Sequence, residues 1–326
     1  MNRRMPNGMY GGVRGRLNPP YSILQEESFR EERILRIADG WKEFEVIDAS
    51  CGEKLERWGD YILLRPDPQA IWDTKKSDVA WKKLNAHYHR STKGGGDWEI
   101  FDLPEEWTIS YTLSSIQKKI NFHLRPFKFK HTGVFPEQAV NWETIASIIR
   151  KNSDRPVKVL NLFAYTGGAT LAAASAGASV VHVDASKGMV GWAKDNALSS
   201  GLSDAPIRWI VDDCMKFVER EIRRGNRYDG IIMDPPSYGR GPKGEIWKIE
   251  TSVFSLIESC AALLSDDPLF FLINSYTTGL QSGVLSYMLS SAIKKPGDVS
   301  ADEIGLPVTS NGLVLPCGAS GIWLSN

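Results

Sequence analysis

Cysteine is scarce in this sequence, and the four that occur are scattered. Cys51, Cys214, Cys260 and Cys317 are spread over 326 residues with no Cys-x-x-Cys pair. That spacing argues against a disulfide framework and a cysteine-based zinc site, and it suits a reducing cytoplasm. No metal-ligand set is read from the sequence. Long apolar runs are missing too: none approaches the roughly 18 residues of a membrane helix, so no membrane partner is expected. Net charge is also absent, with 39 Lys+Arg against 39 Asp+Glu. At 42% hydrophobic and 24% charged residues the composition is that of a globular protein, which makes disorder, collagen and coiled coil poor starting points.

The charge is unevenly laid out. Residues 1–160 carry 26 basic and 22 acidic side chains, and residues 161–326 carry 13 and 17. A neutral total therefore leaves room for a nucleic-acid partner on the first half. The first 25 residues hold Arg3, Arg4, Arg14 and Arg16 and no acid. Pro6, Pro19, Pro20 and several glycines spoil the amphipathic helix of a transit peptide, so residues 1–40 read as a loose basic arm.

Residues 41–130 read as a smaller β-rich domain. WKEFEVIDA, DYILLRP, DWEIFDL and TISYTL alternate like strands. KKINFHLRPFKFKH, residues 118–131, has five Lys/Arg, three Phe and two His without an acid. It reads either as a half-buried strand with a solvated basic face or as part of an RNA-facing surface. In that register Phe127 and Phe129 share one face, with Lys128 and Lys130 on the other.

From about residue 140 the texture changes. After the helical NWETIASIIRK, five apolar runs alternate with helical patterns, from VKVLNLF to PLFFLIN. That alternation predicts a doubly wound α/β sheet, parallel, with helices on both faces. EIGLPV and GIWLSN, after Pro296, read as an antiparallel pair at the sheet edge.

In such a sheet, ligands collect at the carboxyl ends of the strands. The first predicted strand ends in NLFAYTGG, which lacks the G-x-G-x-x-G spacing of dinucleotide folds and so disfavours an oxidoreductase. The second ends at Asp184, placed to accept hydrogen bonds from a ribose. The third ends in Asp212-Asp213-Cys214, and an acid there suits an adenine amino group. The fourth ends in Asp234-Pro235-Pro236, where two prolines stiffen the loop and leave carbonyls free to face a planar base.

These segments resemble class I S-adenosylmethionine-dependent methyltransferases. NLFAYTGGAT, VVHVDASKGMVGWAKDN, VDDCMKFV and IIMDPPSYGRGPK carry the likeness, and HTGVFPEQ at 131–138 resembles a T-G-x-F segment upstream of the catalytic domain. The nearest group is that of the large-subunit rRNA cytosine-C5 and guanine-N7 enzymes, whose N-terminal RNA-binding module is not recognisable here. The resemblance implies a seven-stranded Rossmann-like methyltransferase domain over 131–326, S-adenosylmethionine as cofactor and RNA, ribosomal RNA in particular, as partner. It also implies that Phe163, Tyr165, Thr166, Gly167, Gly168, Asp184, Ala185, Ser186, Asp213 and Cys214 line the cofactor. Asp234, Pro235, Pro236 and Asn274 are then the catalytic set.

Cytosine C5 becomes nucleophilic only after a thiolate adds to C6, so a C5 enzyme needs a cysteine in its site. The fifth strand, FFLINS, is followed by none, and Cys260 falls on a helical pattern that reads as core. Methylation of a base nitrogen is therefore expected. The alternatives are C5 transfer through Cys317 and a non-catalytic RNA-binding relative.

Overall fold

The computed structural model describes residues 35–91, 95–127 and 130–326. Most of the expected basic arm lies outside the described residues, as do Lys128 and Phe129 of the basic-aromatic run.

The chain enters with a two-residue strand, β1 (Arg36–Ile37), and then builds β2 (Phe44–Ser50), β3 (Glu53–Trp58), β4 (Tyr61–Pro66), β5 (Ala86–Arg90) and β6 (Gly96–Ile100). Strands β2–β6 form one sheet in sequence order, and β7 (Trp107–Leu113) pairs with β8 (Lys118–Leu124) as a separate hairpin. Strict alternation makes that hairpin amphipathic. Trp107, Ile109, Tyr111, Ile120, Phe122 and Leu124 point inward, while Lys118 and Lys119 are exposed. The basic-aromatic run is thus a strand only as far as Leu124. Strands β3 and β5 escape the hydropathy pattern because EKLERW and AHYHR are polar.

The second part alternates helix and strand: α1 (Ala139–Lys151), β9 (Lys158–Leu162), α2 (Gly168–Ser175), β10 (Ser179–Asp184), α3 (Lys187–Ser199), β11 (Ile207–Val211) and α4 (Cys214–Arg223). It continues with β12 (Gly230–Met233), a small hairpin of β13 (Tyr238–Arg240) and β14 (Ile246–Lys248), α5 (Ile249–Ala261), β15 (Phe270–Ser275) and α6 (Ser282–Ala292). Two long strands, β16 (Gly297–Pro307) and β17 (Val314–Ser325), follow. The sheet order is β1-β16-β17-β15-β12-β9-β10-β11, parallel except for β17, which is antiparallel to both neighbours.

Two expectations change. The sheet has eight strands rather than seven, because β1 adds to β16. Arg36 anchors it by donating to Asn141 Oδ1 (2.9 Å), Val140 O (2.9 Å) and Thr144 Oγ1 (2.7 Å) on α1, so this end of the presumed arm is ordered. The late antiparallel pair is also not simply an edge: β17 is inserted between β15 and β16.

Alternate residues of the central strands feed two cores. Ile232, Phe270 and Leu272 join α1 and α2, together with Ile109 and Phe122 of the hairpin. Ile231, Met233, Phe271 and Ile273 join Phe217 of α4, Ile257 of α5 and Leu285 of α6. Both faces of the sheet are therefore covered, which is why its strands read as continuous apolar runs. The first core runs unbroken from Trp58 of β3 to Leu171 of α2, so the β-rich part and the α/β part share one interior. No helix among the described residues is long and apolar enough to cross a membrane.

Candidate functional site

A cavity of about 600 Å³ opens at the carboxyl ends of β9, β10 and β12. Its first wall is the turn after β9. Phe163 (φ +54°) and Tyr165 (φ +50°) both adopt the left-handed conformation, an uncommon state for aromatic residues and one that marks a built turn. The turn is pinned from below: Tyr165 N donates to Asp184 Oδ2 (2.9 Å), and Ser186 N donates to Oδ1 (2.8 Å). Each carboxylate oxygen of Asp184 thus keeps a further lone pair for a ligand. Burial raises the Asp184 pKa, and these two backbone donors oppose the rise.

Ala185 and Ser186 continue this wall, and Asp213 and Cys214 close its far end. Asp213 caps α4, its Oδ1 accepting from Lys216 N (3.0 Å). Cys214 is buried, and burial pushes its thiol pKa well up. Asp212, its neighbour in the motif, instead pairs with Arg220.

The opposite wall is the Asp234-Pro235-Pro236 loop. Pro236 O accepts from Trp247 Nε1 (2.6 Å), so the β13–β14 hairpin braces the loop, and Ser237 Oγ meets Thr277 Oγ1 at 2.6 Å. Asp234 faces the cavity, and desolvation followed by the nearby Glu137 carboxyl pushes its pKa to about 7. Phe135 lies 5.3 Å from the Tyr165 ring and 5.9 Å from Tyr276, so aromatic faces flank this end.

Four expected site residues are placed elsewhere. Thr166, Gly167 and Gly168 are not among the lining residues. Thr166 Oγ1 donates to Gly133 O, Gly167 (φ +92°) packs on Ala193, and a Cβ on Gly168 would lie 2.6 Å from Trp142. These residues seat α2 against its neighbours and leave the cavity wall to Phe163 and Tyr165. Asn274 is buried beneath the cavity. It accepts from Asn141 Nδ2 (2.9 Å) and donates to Gln138 Oε1 (3.1 Å), and Gln138 in turn donates to Tyr276 Oη (2.6 Å). Asn274 is not among the lining residues, and this network links its amide through Gln138 to Tyr276, which is.

Sequence patterns missed the β-rich part's contribution to a third wall. Lys54 and Arg65 line the cavity beside Lys130, His131, Glu137 and Cys317. Both cations converge on buried Glu56. Arg65 Nε donates to Oε2 (2.6 Å), its Nη2 to Oε1 (3.0 Å), and Lys54 Nζ lies 3.3 Å from Oε1. Burial alone would raise the Glu56 pKa, but Arg65 and Lys54 outweigh it and hold the carboxyl at about 2. Burial and then Arg65 lower His131 to about 3, leaving it neutral; burial and then Lys54 bring Lys130 to about 8. Cys317 Sγ donates to Leu315 O (3.4 Å), and burial together with Glu137 raises its pKa well above that of a free thiol. The sequence points to part of this wall, through Lys130 and His131 of the basic-aromatic run, the segment HTGVFPEQ and Cys317, but not to Lys54 or Arg65.

A family model described as S-adenosylmethionine-dependent methyltransferase matches residues 105–249. A solved S-adenosylmethionine-dependent methyltransferase from Agrobacterium tumefaciens is 37% identical, with a TM-score of 0.84 over 90% of this chain and 94% of that one. Among curated proteins, the ribosomal RNA large subunit methyltransferase K/L of Shewanella frigidimarina is 26% identical over 74% of this chain. The protein of the same name from Pseudoalteromonas atlantica is 32% identical over 68%. The chain spans about a third of the length of these two, 34% and 32%.

Proposed function

The chain belongs to the S-adenosylmethionine-dependent methyltransferases, and on that premise we propose that it methylates a base nitrogen of RNA, ribosomal RNA being the substrate class. The carrying observation is the cavity itself: Asp234, with a pKa near 7, and the anchored carboxylate of Asp184 line the same space.

The residues present fit a nucleoside cofactor. Asp184 has one lone pair left on each oxygen, a match for two adjacent ribose hydroxyls, with Asp213 and Cys214 beside the adenine. When bound, S-adenosylmethionine supplies an electrophilic methyl group on a sulfonium. Phe135, Tyr276, Pro235 and Pro236 offer flat surfaces to a base drawn out of its stack. Asp234 accepts the N–H of an exocyclic amine or orients a ring nitrogen, and a carboxyl with a pKa near the working pH suits proton transfer. The surrounding aromatic walls keep water from competing for the methyl group.

Residues 41–130 are proposed as the RNA-facing domain: they place Lys54 and Arg65 at the cavity and carry exposed Lys118 and Lys119 on β8. A cytoplasmic location goes with that substrate.

One observation favours a second reading, cytosine C5, because Cys317 lines the same cavity as Asp234. Against it, the thiol is held protonated beside Glu137, and addition to C6 requires thiolate. Tritium transfer from labelled cofactor to rRNA of a strain lacking the gene, followed by mass spectrometry of the nucleosides, tests the proposal. An N-methylated nucleoside is expected. A covalent adduct on 5-fluorocytidine RNA that disappears in Cys317→Ser would replace it with C5 chemistry, and label in no RNA would remove RNA as substrate.

A further inference from the structure

A second cluster of chemistry-bearing residues lies on the β2–β6 sheet, on none of the cavity walls described above. His87 and His89 occupy alternate positions of β5 and so project from one face. Glu99 on β6 is directly opposite His87 in the antiparallel register, and Asp97 is opposite His89. The two imidazole rings lie 3.9 Å apart. His89 Nε2 is 2.7 Å from Glu99 Oε2, and His87 Nε2 is 3.0 Å from Glu53 Oε1 on β3. One donor atom from each of His87, His89 and Glu99 falls within a 4.8 Å span. A cleft of about 480 Å³ gives solvent access to this edge.

We propose that His87, His89 and Glu99 form a site for a divalent transition-metal ion of the zinc type, with Glu53 as the fourth ligand or as the carboxylate that orients His87.

The geometry and the charge pattern both support it. A zinc ion with nitrogen and oxygen ligands at about 2.0–2.1 Å in a tetrahedron separates neighbouring donors by roughly 3.3 Å. The His89–Glu99 and His87–Glu53 contacts of 2.7 and 3.0 Å would open by roughly 0.3–0.6 Å, while the three grouped donors, within 4.8 Å of one another, would draw in around the ion. The two rings, their planes tilted by 45°, face the Glu53 and Glu99 carboxylates, whose negative charge a dication offsets. The cations that face the cluster are Lys76, 3.0 Å from Glu53, and Arg90 in the cleft; Asp97 and Asp73 add negative charge. Cys51 shares the cleft, but its thiol lies 3.0 Å from Asp73 Oδ1, and it is not one of the three grouped donors.

Such an ion has a mechanical role to fill. β5 pairs with β4 at only two positions, Leu63↔Ala86 and Leu64↔His87, after a connection without strand structure over 67–85. A metal joining β5 to β6, and through Glu53 to β3, ties the hairpin to the sheet that carries Lys54 and Arg65.

The test is metal binding by tag-free, chelator-treated protein. Zinc chloride titrated against a chromophoric competitor is expected to show one equivalent bound, and the thermal midpoint should rise with zinc. Cobalt(II) should give the intense visible bands of a four-coordinate site. His89→Gln and Glu99→Gln, both at exposed positions, should each weaken binding by roughly tenfold or more and abolish the thermal rise. Cofactor affinity should stay unchanged in both, because neither side chain reaches the cavity. No bound equivalent, or equal binding in the variants, overturns the site. A thiolate-to-cobalt band lost in Cys51→Ser overturns the ligand assignment.

Discussion

Two carboxylates face one cavity and do different work because their surroundings differ. Asp184 receives two backbone N–H groups and stays an acceptor, whereas Asp234 has Glu137 for a neighbour and a pKa of about 7. Asp184→Ala should weaken S-adenosylmethionine binding by about 1.5–3 kcal/mol, the worth of hydrogen bonds to a charged acceptor, and calorimetry reads it directly. For Asp234 the consequence lies in pH. If the carboxylate form is the active one, kcat/KM should climb between pH 6 and 8 with an apparent pKa near 7, and Asp234→Asn should lose that limb and most of kcat. Stability moves the other way. An unfolded Asp titrates at about 3.9, so between that value and about 7 the folded state holds more protons, and stability falls as pH rises. Asp234→Asn should accordingly raise the melting midpoint more at pH 8 than at pH 4, in paired thermal scans.

At the scale of elements, helix packing decides how the glycine turn is used. Gly168 opens α2 directly beneath Trp142 of α1, and a methyl group there would meet the indole at 2.6 Å. Trp142 is buried and packed edge-on to Tyr111, leaving the ring little room to yield. Gly168→Ala should therefore destabilise the fold by about 1–3 kcal/mol despite the better helix propensity of alanine. Denaturant unfolding followed by tryptophan fluorescence measures that loss. A neutral effect would mean that the indole moves freely.

For the whole molecule, the main fact is that the cavity has walls from both the β-rich part and the α/β part. Glu56 holds Lys54 and Arg65, and Arg65 Nη1 also donates to Lys130 O (2.8 Å), bridging β4 to the segment that leads into α1. Removing the acid takes the carboxylate from buried Arg65 and leaves Lys54 only Asp67, 3.4 Å away. Glu56→Ala should cost about 3–5 kcal/mol, measured by denaturant unfolding. RNA binding tests the outer surface: Lys118→Glu with Lys119→Glu should lower the salt slope of RNA affinity while leaving cofactor affinity intact. An unchanged slope would make β8 an ordinary strand whose lysines are merely solvated.

The alternation of apolar runs and helical patterns was enough to place five parallel strands, and parallel topology carries their ends to one side. Asp184, Asp213 and Asp234 were legible for that reason: their position follows from local periodicity and from a rule about where strands end. The glycines resemble cofactor contacts in sequence; in the fold Gly167 and Gly168 are not among the cavity's lining residues, and a Cβ on them would meet Ala193 and Trp142. Asn274 looked catalytic at the end of β15, yet it does not line the cavity, and its amide bonds Asn141 and Gln138, more than 130 residues away in the chain. Lys54 and Arg65 of the third wall were invisible for a similar reason. EKLERW has no apolar stripe, and Glu56 becomes a buried residue only because Lys54 and Arg65 neutralise it. Hydropathy is a property of a residue and its near neighbours. The cost of burying a charge is set by partners that only the folded chain brings together.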